Sequence, residues 1–129
     1  MQKFILSGCM SILLVISCTF TQKVKSGMQA YEVKQYSVAA QLFEKEYTGA
    51  TSDADKAKLA FLAGESYRYL NDMGSAGNWY QKAYKDGKDE QALIHYADAM
   101  KYQERYEEAL GAYEDLQQKN PGSAAYRSE

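Results

Sequence analysis

The chain has 129 residues with 15 basic and 17 acidic side chains, a formal net charge of −2, which points neither to nucleic acid nor to an anionic membrane surface. A single proline, Pro121, and abundant Ala, Glu, Lys, Gln and Tyr favour helices over a turn-rich β-sandwich. Both cysteines, Cys9 and Cys18, lie in the first eighteen residues, which leaves the remainder no thiolate for catalysis or metal binding. We therefore expect one all-α domain after a leader, with no room for a second, catalytic domain.

Residues 1–17 have the pattern of a secretion signal. Lys3 precedes an apolar stretch over residues 4–16 that is too short for a bilayer, which needs about 20 residues. The stretch ends in Val-Ile-Ser-Cys, which resembles the bacterial lipobox and predicts lipidation and cleavage at Cys18. A second match ends at Cys9, but it leaves only a few apolar residues ahead of it. The alternatives are a soluble periplasmic protein and an uncleaved anchor. Thr19 rather than Asp follows Cys18, and by resemblance to lipoprotein sorting rules this implies the periplasmic face of the outer membrane.

The middle of the chain carries small and aromatic residues at fixed offsets. Gly64, Tyr67, Ala76, Tyr80 and Ala83 fit the pattern G-x2-Y, a turn, then A-x3-[FY]-x2-A, which is typical of the 34-residue tetratricopeptide (TPR) repeat. In that repeat, a small residue lets two antiparallel helices approach closely and an aromatic side chain fills the space beside it.

Two further copies flank this one, at intervals of 37 and 33 residues between the alanines Ala39, Ala76 and Ala109. The first copy has Gly27, Tyr31, Tyr36, Ala39 and Phe43, with Glu46 in place of the second small residue. The third has Ala97 in place of glycine, Tyr106, Ala109 and Tyr113, with Leu116 in place of the second small residue and Asn120-Pro121 closing the unit. We predict a TPR α-solenoid of three helical hairpins within residues 18–129, with repeats at about 20–53, 57–90 and 90–123; the alternative is an unrelated helical bundle.

Helix boundaries follow from capping residues. Ser37, Ser75 and Asp89 are expected to cap the helices that follow them, and Gly87 and Asn120 to end the helices before them. The predicted helices span 22–34, 37–47, 55–70, 75–86, 90–103 and 107–119, each boundary within about three residues. Residues 123–126 suggest the start of another helix.

The first helix of each TPR hairpin lines the concave groove of such an array, where partner proteins bind. The predicted register places eleven residues on this face: Val24, Met28, Tyr31, Phe61, Glu65, Arg68, Tyr69, Ile94, Asp98, Lys101 and Tyr102. Tyrosine offers a large apolar area with few rotors, which suits protein recognition. The alternative for any one tyrosine is a half-buried packing role. Lys58 and Arg68 are expected to serve only as isolated anion contacts.

No constellation for catalysis is visible, and we expect no enzyme, cofactor, metal, nucleic acid or small-molecule substrate. His95 is the only histidine and is predicted to lie on a helix surface. The acidic pairs Glu107-Glu108 and Glu44/Glu46 are expected on solvated helix faces, and Trp79 in packing or at a helix edge.

Three segments resemble a known family: residues 60–68 (AFLAGESYR), 78–83 (NWYQKA) and 96–99 (YADA) are similar to the N-terminal TPR region of OmpA-family (PorE-like) outer-membrane lipoproteins. The resemblance implies an envelope scaffold, with its lipid in the outer membrane and its groove on an envelope protein or peptide. It does not extend to the peptidoglycan-binding domain of that family. The alternatives are an assembly factor that handles outer-membrane protein clients and a soluble periplasmic adaptor.

Overall fold

A computed structural model of the protein describes residues 23–122. This part contains six helices and no strand, so the all-α prediction is confirmed for it: α1 (Gly27–Glu32), α2 (Tyr36–Gly49), α3 (Asp53–Tyr69), α4 (Met73–Gly87), α5 (Glu90–Tyr102) and α6 (Tyr106–Lys119). The predicted signal peptide, the lipidation site at Cys18 and the helix suggested at 123–126 lie outside the described residues.

The first helix is shorter than predicted. Its predicted start at residue 22 is wrong, because residues 23–26 are not helical and Ser26 caps the helix at Gly27. The Ser26 hydroxyl accepts a hydrogen bond from the Gln29 amide at 3.3 Å, which satisfies one of the free amides of the first turn. The other five helices begin and end within three residues of their predicted bounds.

Two of the predicted N-caps are also wrong. Asp89 caps α5 as expected, and its carboxylate accepts from the Gln91 amide at 2.9 Å. Asp72 rather than Ser75 caps α4, because its carboxylate accepts from the Ser75 amide at 3.0 Å. Ser37 lies inside α2, whose N-cap, Gln35, makes no side-chain capping bond. The predicted ends hold: α4 ends at Gly87, and Asn120 is the C-cap of α6.

The turn inside each hairpin has the same backbone geometry in all three copies. Lys34, Asn71 and Glu104 adopt φ values of 60°, 60° and 61°, the left-handed conformation that ends many helices. The next amide in each turn donates to the carbonyl five residues before it, at distances of 2.8 Å (Gln35 to Ala30), 3.0 Å (Asp72 to Tyr67) and 2.9 Å (Arg105 to Met100). The turns therefore recur at the same 37- and 33-residue intervals as the alanines.

Consecutive helices pack on one another and reverse direction at connections of two or three residues. The C-terminal ends of α1 and α3 meet through Tyr31 and Tyr69, whose ring centroids lie 6.0 Å apart. The ends of α2 and α4 meet through the Tyr47 hydroxyl, which donates to Asp86 at 2.8 Å. The first helices of the hairpins (α1, α3, α5) thus run in one direction, and the second helices (α2, α4, α6) run in the other.

The core combines small residues with aromatic rings at repeat-equivalent positions. A Cβ placed on Gly64 would lie 2.8 Å from the Tyr80 ring, and one placed on Gly27 would lie 2.4 Å from the Phe43 ring. In the third unit Ala97 is fully buried and Tyr113 packs beside it. The small and aliphatic pattern positions of the second helices are buried as well: Ala39, Ala76, Ala83, Ala109 and Leu116. Tyr106, in contrast, is 62% exposed.

Candidate functional site

The eleven predicted partner-binding residues lie on or just before α1, α3 and α5, and we call the surface formed by these three helices the first-helix face. Glu65 of α3 stands at its centre and is 9% exposed. Its carboxylate accepts from the Tyr80 hydroxyl at 2.5 Å and from Arg68 Nε and Nη2 at 3.0 and 2.7 Å. His95 Nδ1 lies 3.2 Å from the same carboxylate. Three helices therefore converge on one buried charge.

These contacts fix the ionisation of Glu65. Burial by itself raises the pKa of this carboxyl, but the hydrogen bonds from His95, Arg68 and Tyr80 outweigh it and hold the pKa well below its ordinary value. Burial and the bond to Glu65 raise the pKa of the Tyr80 hydroxyl, and the same carboxylate raises the pKa of Arg68. Glu65 is therefore an ionised anchor for its neighbours at neutral pH, and its proton affinity is far too low for general acid catalysis.

The predicted surface position of His95 is wrong. Its ring is half-buried between Phe61 and Tyr80, with centroid distances of 5.2 and 5.0 Å. The spacing of the repeat pattern indicated the half-buried position of His95. His95 follows Leu62 by 33 residues, the interval between the second and third copies, and Leu62 is half-buried.

A cluster of tyrosines covers the C-terminal ends of α1 and α3. The rings of Tyr36 and Tyr69 stack at 4.4 Å with an interplanar angle of 9°, and Tyr31 meets both edge-on. The Arg68 guanidinium lies 4.6 Å above the Tyr69 ring. The pKa of Tyr31 is raised to about 12, mainly by burial and secondly by the nearby charge of Glu65. The predicted binding set omitted Tyr36, although the repeat pattern had marked it.

The third unit contributes a less buried set of residues. Asp98 accepts from the Tyr113 hydroxyl at 2.7 Å, and Tyr102 donates to Asn71 at 3.2 Å. Lys101 is exposed, whereas Ile94 packs into the cluster that contains Leu93, Ala97 and Leu116.

The predicted face thus divides into two groups. Tyr69 and Tyr102 are 51% and 61% exposed and remain accessible to a partner. Tyr31, Phe61 and Ile94 are half-buried packing residues, as is Val24 beside the cluster around Ala30.

A shallow hollow adjoins the first half of α3. It encloses about 390 Å³, and Lys58 and Met28 stand at it with mainly apolar neighbours. Met28 is 38% exposed. Its lining includes Phe61, Leu62 and Ala92, of which Phe61 also packs against His95.

One of the two acidic pairs is not on a solvated face. Glu44 accepts from the Tyr67 hydroxyl at 2.6 Å and from Trp79 Nε1 at 3.2 Å, and Glu46 accepts from the Gly27 amide at 2.8 Å. The pKa of Tyr67 is raised to about 12, mainly by the hydrogen bond to Glu44 and secondly by burial. Glu46 therefore has a structural reason to replace the expected small residue, since it satisfies the first amide of α1.

The other pair is placed as predicted. Glu107 and Glu108 are exposed, and Glu108 forms a bidentate contact with Arg105 at 2.7 Å. The packing role predicted for Trp79 is confirmed, since its ring meets Tyr47 edge-on at 5.2 Å.

Within residues 23–122, no three His, Cys, Asp or Glu side chains are grouped so that they could hold a metal ion. Among the same residues, no helix has the length and apolar character that crossing a bilayer requires. No protein-family model and no curated protein matches the chain. The family resemblance therefore stays a prediction.

Proposed function

We propose that this protein is a TPR α-solenoid of three hairpins that acts as a scaffold for protein–protein interaction in the cell envelope. The observation that carries the proposal is the threefold recurrence of one turn geometry at Lys34, Asn71 and Glu104. An unrelated bundle has no reason to repeat a left-handed residue and its hydrogen bond at the intervals of its buried alanines. TPR stacking requires that repetition.

The partner binds the first-helix face through its accessible aromatic residues. Tyr69 is held between Tyr36 and the Arg68 guanidinium, and the Tyr102 hydroxyl is held by Asn71. Side chains that are already ordered lose little conformational entropy when they are covered, so this arrangement favours recognition. The mixture of exposed rings with Asp98 and Lys101 suits a polypeptide better than a small apolar ligand.

The scaffold is anchored to the periplasmic face of the outer membrane through lipid on Cys18. Gly27 follows this cysteine by nine positions, and a fully extended chain of nine residue steps reaches about 30 Å. Such a tether keeps the array close to the membrane. The lipobox pattern and the resemblance to OmpA-family lipoproteins support this part of the proposal.

The test of the anchor compares the full chain with its Cys18→Ala variant in a Gram-negative host, by intact mass and membrane fractionation. We expect added lipid mass and outer-membrane fractionation for the unchanged chain, and neither for the variant. A chain that is unlipidated and soluble in both forms contradicts the anchor and leaves a free periplasmic adaptor.

A cross-linking pull-down from the same cells tests the role. One stable envelope partner supports a scaffold. A broad set of outer-membrane protein segments would instead indicate an assembly factor that handles transient clients.

A further inference from the structure

The middle and third hairpins carry the same three kinds of side chain at matching positions of the first-helix face. In each hairpin an acidic residue is followed at the third position by a basic residue and at the fourth by a tyrosine. Residues at these spacings are neighbours on one side of a helix. The two sets lie 33 residues apart, and they are Glu65, Arg68 and Tyr69 of α3 and Asp98, Lys101 and Tyr102 of α5.

In α3 the cation joins the carboxylate to the ring. Arg68 Nε and Nη2 donate to the two carboxylate oxygens of Glu65 at 3.0 and 2.7 Å. The guanidinium carbon of the same arginine lies 4.6 Å from the centroid of the Tyr69 ring, and Tyr36 stacks on that ring at 4.4 Å. The set in α3 is therefore filled by a side chain of its own helix.

In α5 the carboxylate and the ring are present without such a cation. Asp98 is exposed and accepts from the Tyr113 hydroxyl through Oδ1, which leaves Oδ2 without a hydrogen bond among the described residues. Tyr102 is 61% exposed. Within the same part of the chain, Lys101 neither forms an ion pair with Asp98 nor lies over the Tyr102 ring. The set in α5 is therefore open.

The chemistry of the side chains explains the difference. Aspartate is one methylene shorter than glutamate, so the carboxylate of Asp98 lies closer to its own helix. Lysine has a single ammonium group in place of the planar fork of arginine, so Lys101 cannot make the two parallel bonds that Arg68 makes while it covers a ring. The exchange of glutamate and arginine for aspartate and lysine thus leaves a carboxylate and a ring for an external guanidinium.

The charges near the Tyr102 ring also favour a cation. The Tyr102 hydroxyl donates to Asn71 at 3.2 Å, and the exposed Asp72 comes directly after Asn71. The exposed Glu104 follows Tyr102 by two residues, whereas the nearest cation along the chain is Lys101. With Asp98 one turn away, acidic groups outnumber basic ones here, and the local field attracts positive charge.

We infer that Asp98 and Tyr102 form a binding site for an arginine side chain of the partner protein. The arginine takes the role in α5 that Arg68 has in α3, with its guanidinium over the Tyr102 ring and a hydrogen bond to Oδ2 of Asp98. Lys101 lies beside the site and does not contribute to it. The inference rests on the proposed function, because it names the side chain by which the first-helix face recognises its polypeptide partner.

The first test uses the full chain with Cys18→Ala, which removes any lipid, and three capped amino acids as probes. N-acetyl-arginine amide carries the guanidinium, N-acetyl-lysine amide carries an ammonium, and N-acetyl-citrulline amide has nearly the shape of the arginine probe without its charge. Titrations at low salt are followed by amide NMR. We expect weak, saturable binding of the arginine probe with shift changes centred on Asp98 and Tyr102, weaker binding of the lysine probe and none of the citrulline probe.

Variants of the same chain locate the site. Asp98→Asn and Tyr102→Leu should each weaken binding of the arginine probe about threefold, because each removes one exposed charge or ring contact. Asp115→Asn is the matched control, since it removes the same charge from an exposed position of α6 and should leave binding unchanged. The double variant Asp98→Glu, Lys101→Arg gives α5 the residues of α3 and should abolish binding, because its own arginine then fills the site.

Three results would overturn the inference: equal binding of the arginine and citrulline probes, unchanged binding of arginine in Asp98→Asn, or full binding in the double variant. A second measurement separates the site from the proposed function. A photoreactive residue at Lys101 should cross-link the envelope partner about threefold less in the Asp98→Asn background and equally well with Asp115→Asn.

The two measurements fail in different ways. If the arginine probe binds at Asp98 and Tyr102 but no envelope protein is cross-linked, the proposed function is wrong and the arginine site is retained. If a partner is cross-linked equally in the Asp98→Asn background and the arginine probe does not bind, the inference is wrong and the proposed function is retained.

Discussion

The Tyr80 hydroxyl donates a 2.5 Å hydrogen bond to the buried carboxylate of Glu65, and this contact ties the second helix of the middle hairpin to the centre of the first-helix face. The third hairpin repeats the relationship between Tyr113 and Asp98, where the bond of 2.7 Å is exposed to solvent. The first hairpin has Met28 and Phe43 at these positions. The bond therefore occurs at matching positions of the second and third hairpins and not in the first.

We expect Tyr80→Phe to lower the free energy of unfolding by about 1–3 kcal/mol, because a buried carboxylate loses a donor. Tyr113→Phe is the matched control and should cost less than about 1 kcal/mol, since water can replace its hydroxyl. Urea unfolding followed by circular dichroism measures both. Equal losses would show that burial of the Glu65 bond is not important for stability.

Acid should destabilise the protein through Glu65. Because the folded pKa lies below the ordinary value of 4.5, folding favours the ionised form, and this stabilisation is present above pH 4.5 and is lost as the pH falls below it. The free energy of unfolding of Glu65→Gln should therefore vary less between pH 5 and pH 3 than that of the unchanged chain. Glu32→Gln, at an exposed position, serves as the control. An unchanged pH dependence in Glu65→Gln would contradict the role of this carboxylate.

Alkali should act through the tyrosines. The folded pKa values of Tyr31, Tyr67 and Tyr113 are raised from 10 to about 12, so folding favours their protonated forms. That stabilisation is complete below pH 10 and is lost as the pH rises towards 12. The tyrosinate absorbance of the folded chain should show a late phase that disappears in guanidinium chloride. A single transition near pH 10 in the folded chain would contradict the contacts of these hydroxyls.

The two helix glycines Gly64 and Gly111 should respond oppositely to alanine. Gly64→Ala forces a methyl group to within 2.8 Å of the Tyr80 ring, and overpacking of this kind costs about 1–3 kcal/mol. Gly111→Ala meets nothing within 4 Å and should stabilise the isolated chain by about 0.5–1 kcal/mol. Thermal unfolding of the two variants measures the difference. Stabilisation by Gly64→Ala would contradict the close packing of this glycine against Tyr80.

The sequence allowed prediction of the features that depend on spacing along the chain. Gly64 packs against the Tyr80 ring, and Ala76 lies in the same cluster as Tyr80; the spacing of these small and aromatic residues along the chain had predicted the close packing of α3 on α4. Local signals identified the start of α5 at Asp89 and the end of α6 at Asn120, whereas α2 and α4 were bounded to within three residues although their predicted N-caps were wrong.

Features that depend on hydrogen bonds between residues far apart in the sequence could not be predicted. Glu44 bonds to Tyr67 and Trp79, which follow it by 23 and 35 residues, and an isolated acidic residue on a helix gives no sign of such partners. The N-cap of α4 was missed because Asp72 and Ser75 are equally suitable cap residues, and only the position of the preceding turn selects Asp72. His95 was misplaced because its position was judged by residue type rather than by its register with Leu62.

The most direct test of the central claim, that the first-helix face binds a partner, is site-specific photo-cross-linking in the native envelope. A photoreactive residue at Tyr69, Lys101 or Tyr102 is compared with one at the exposed second-helix positions Lys45 and Gln81. We expect one defined envelope protein to be cross-linked from the first three positions and not from the other two. Cross-linking of that protein from Lys45 and Gln81, with none from the first-helix face, would contradict it.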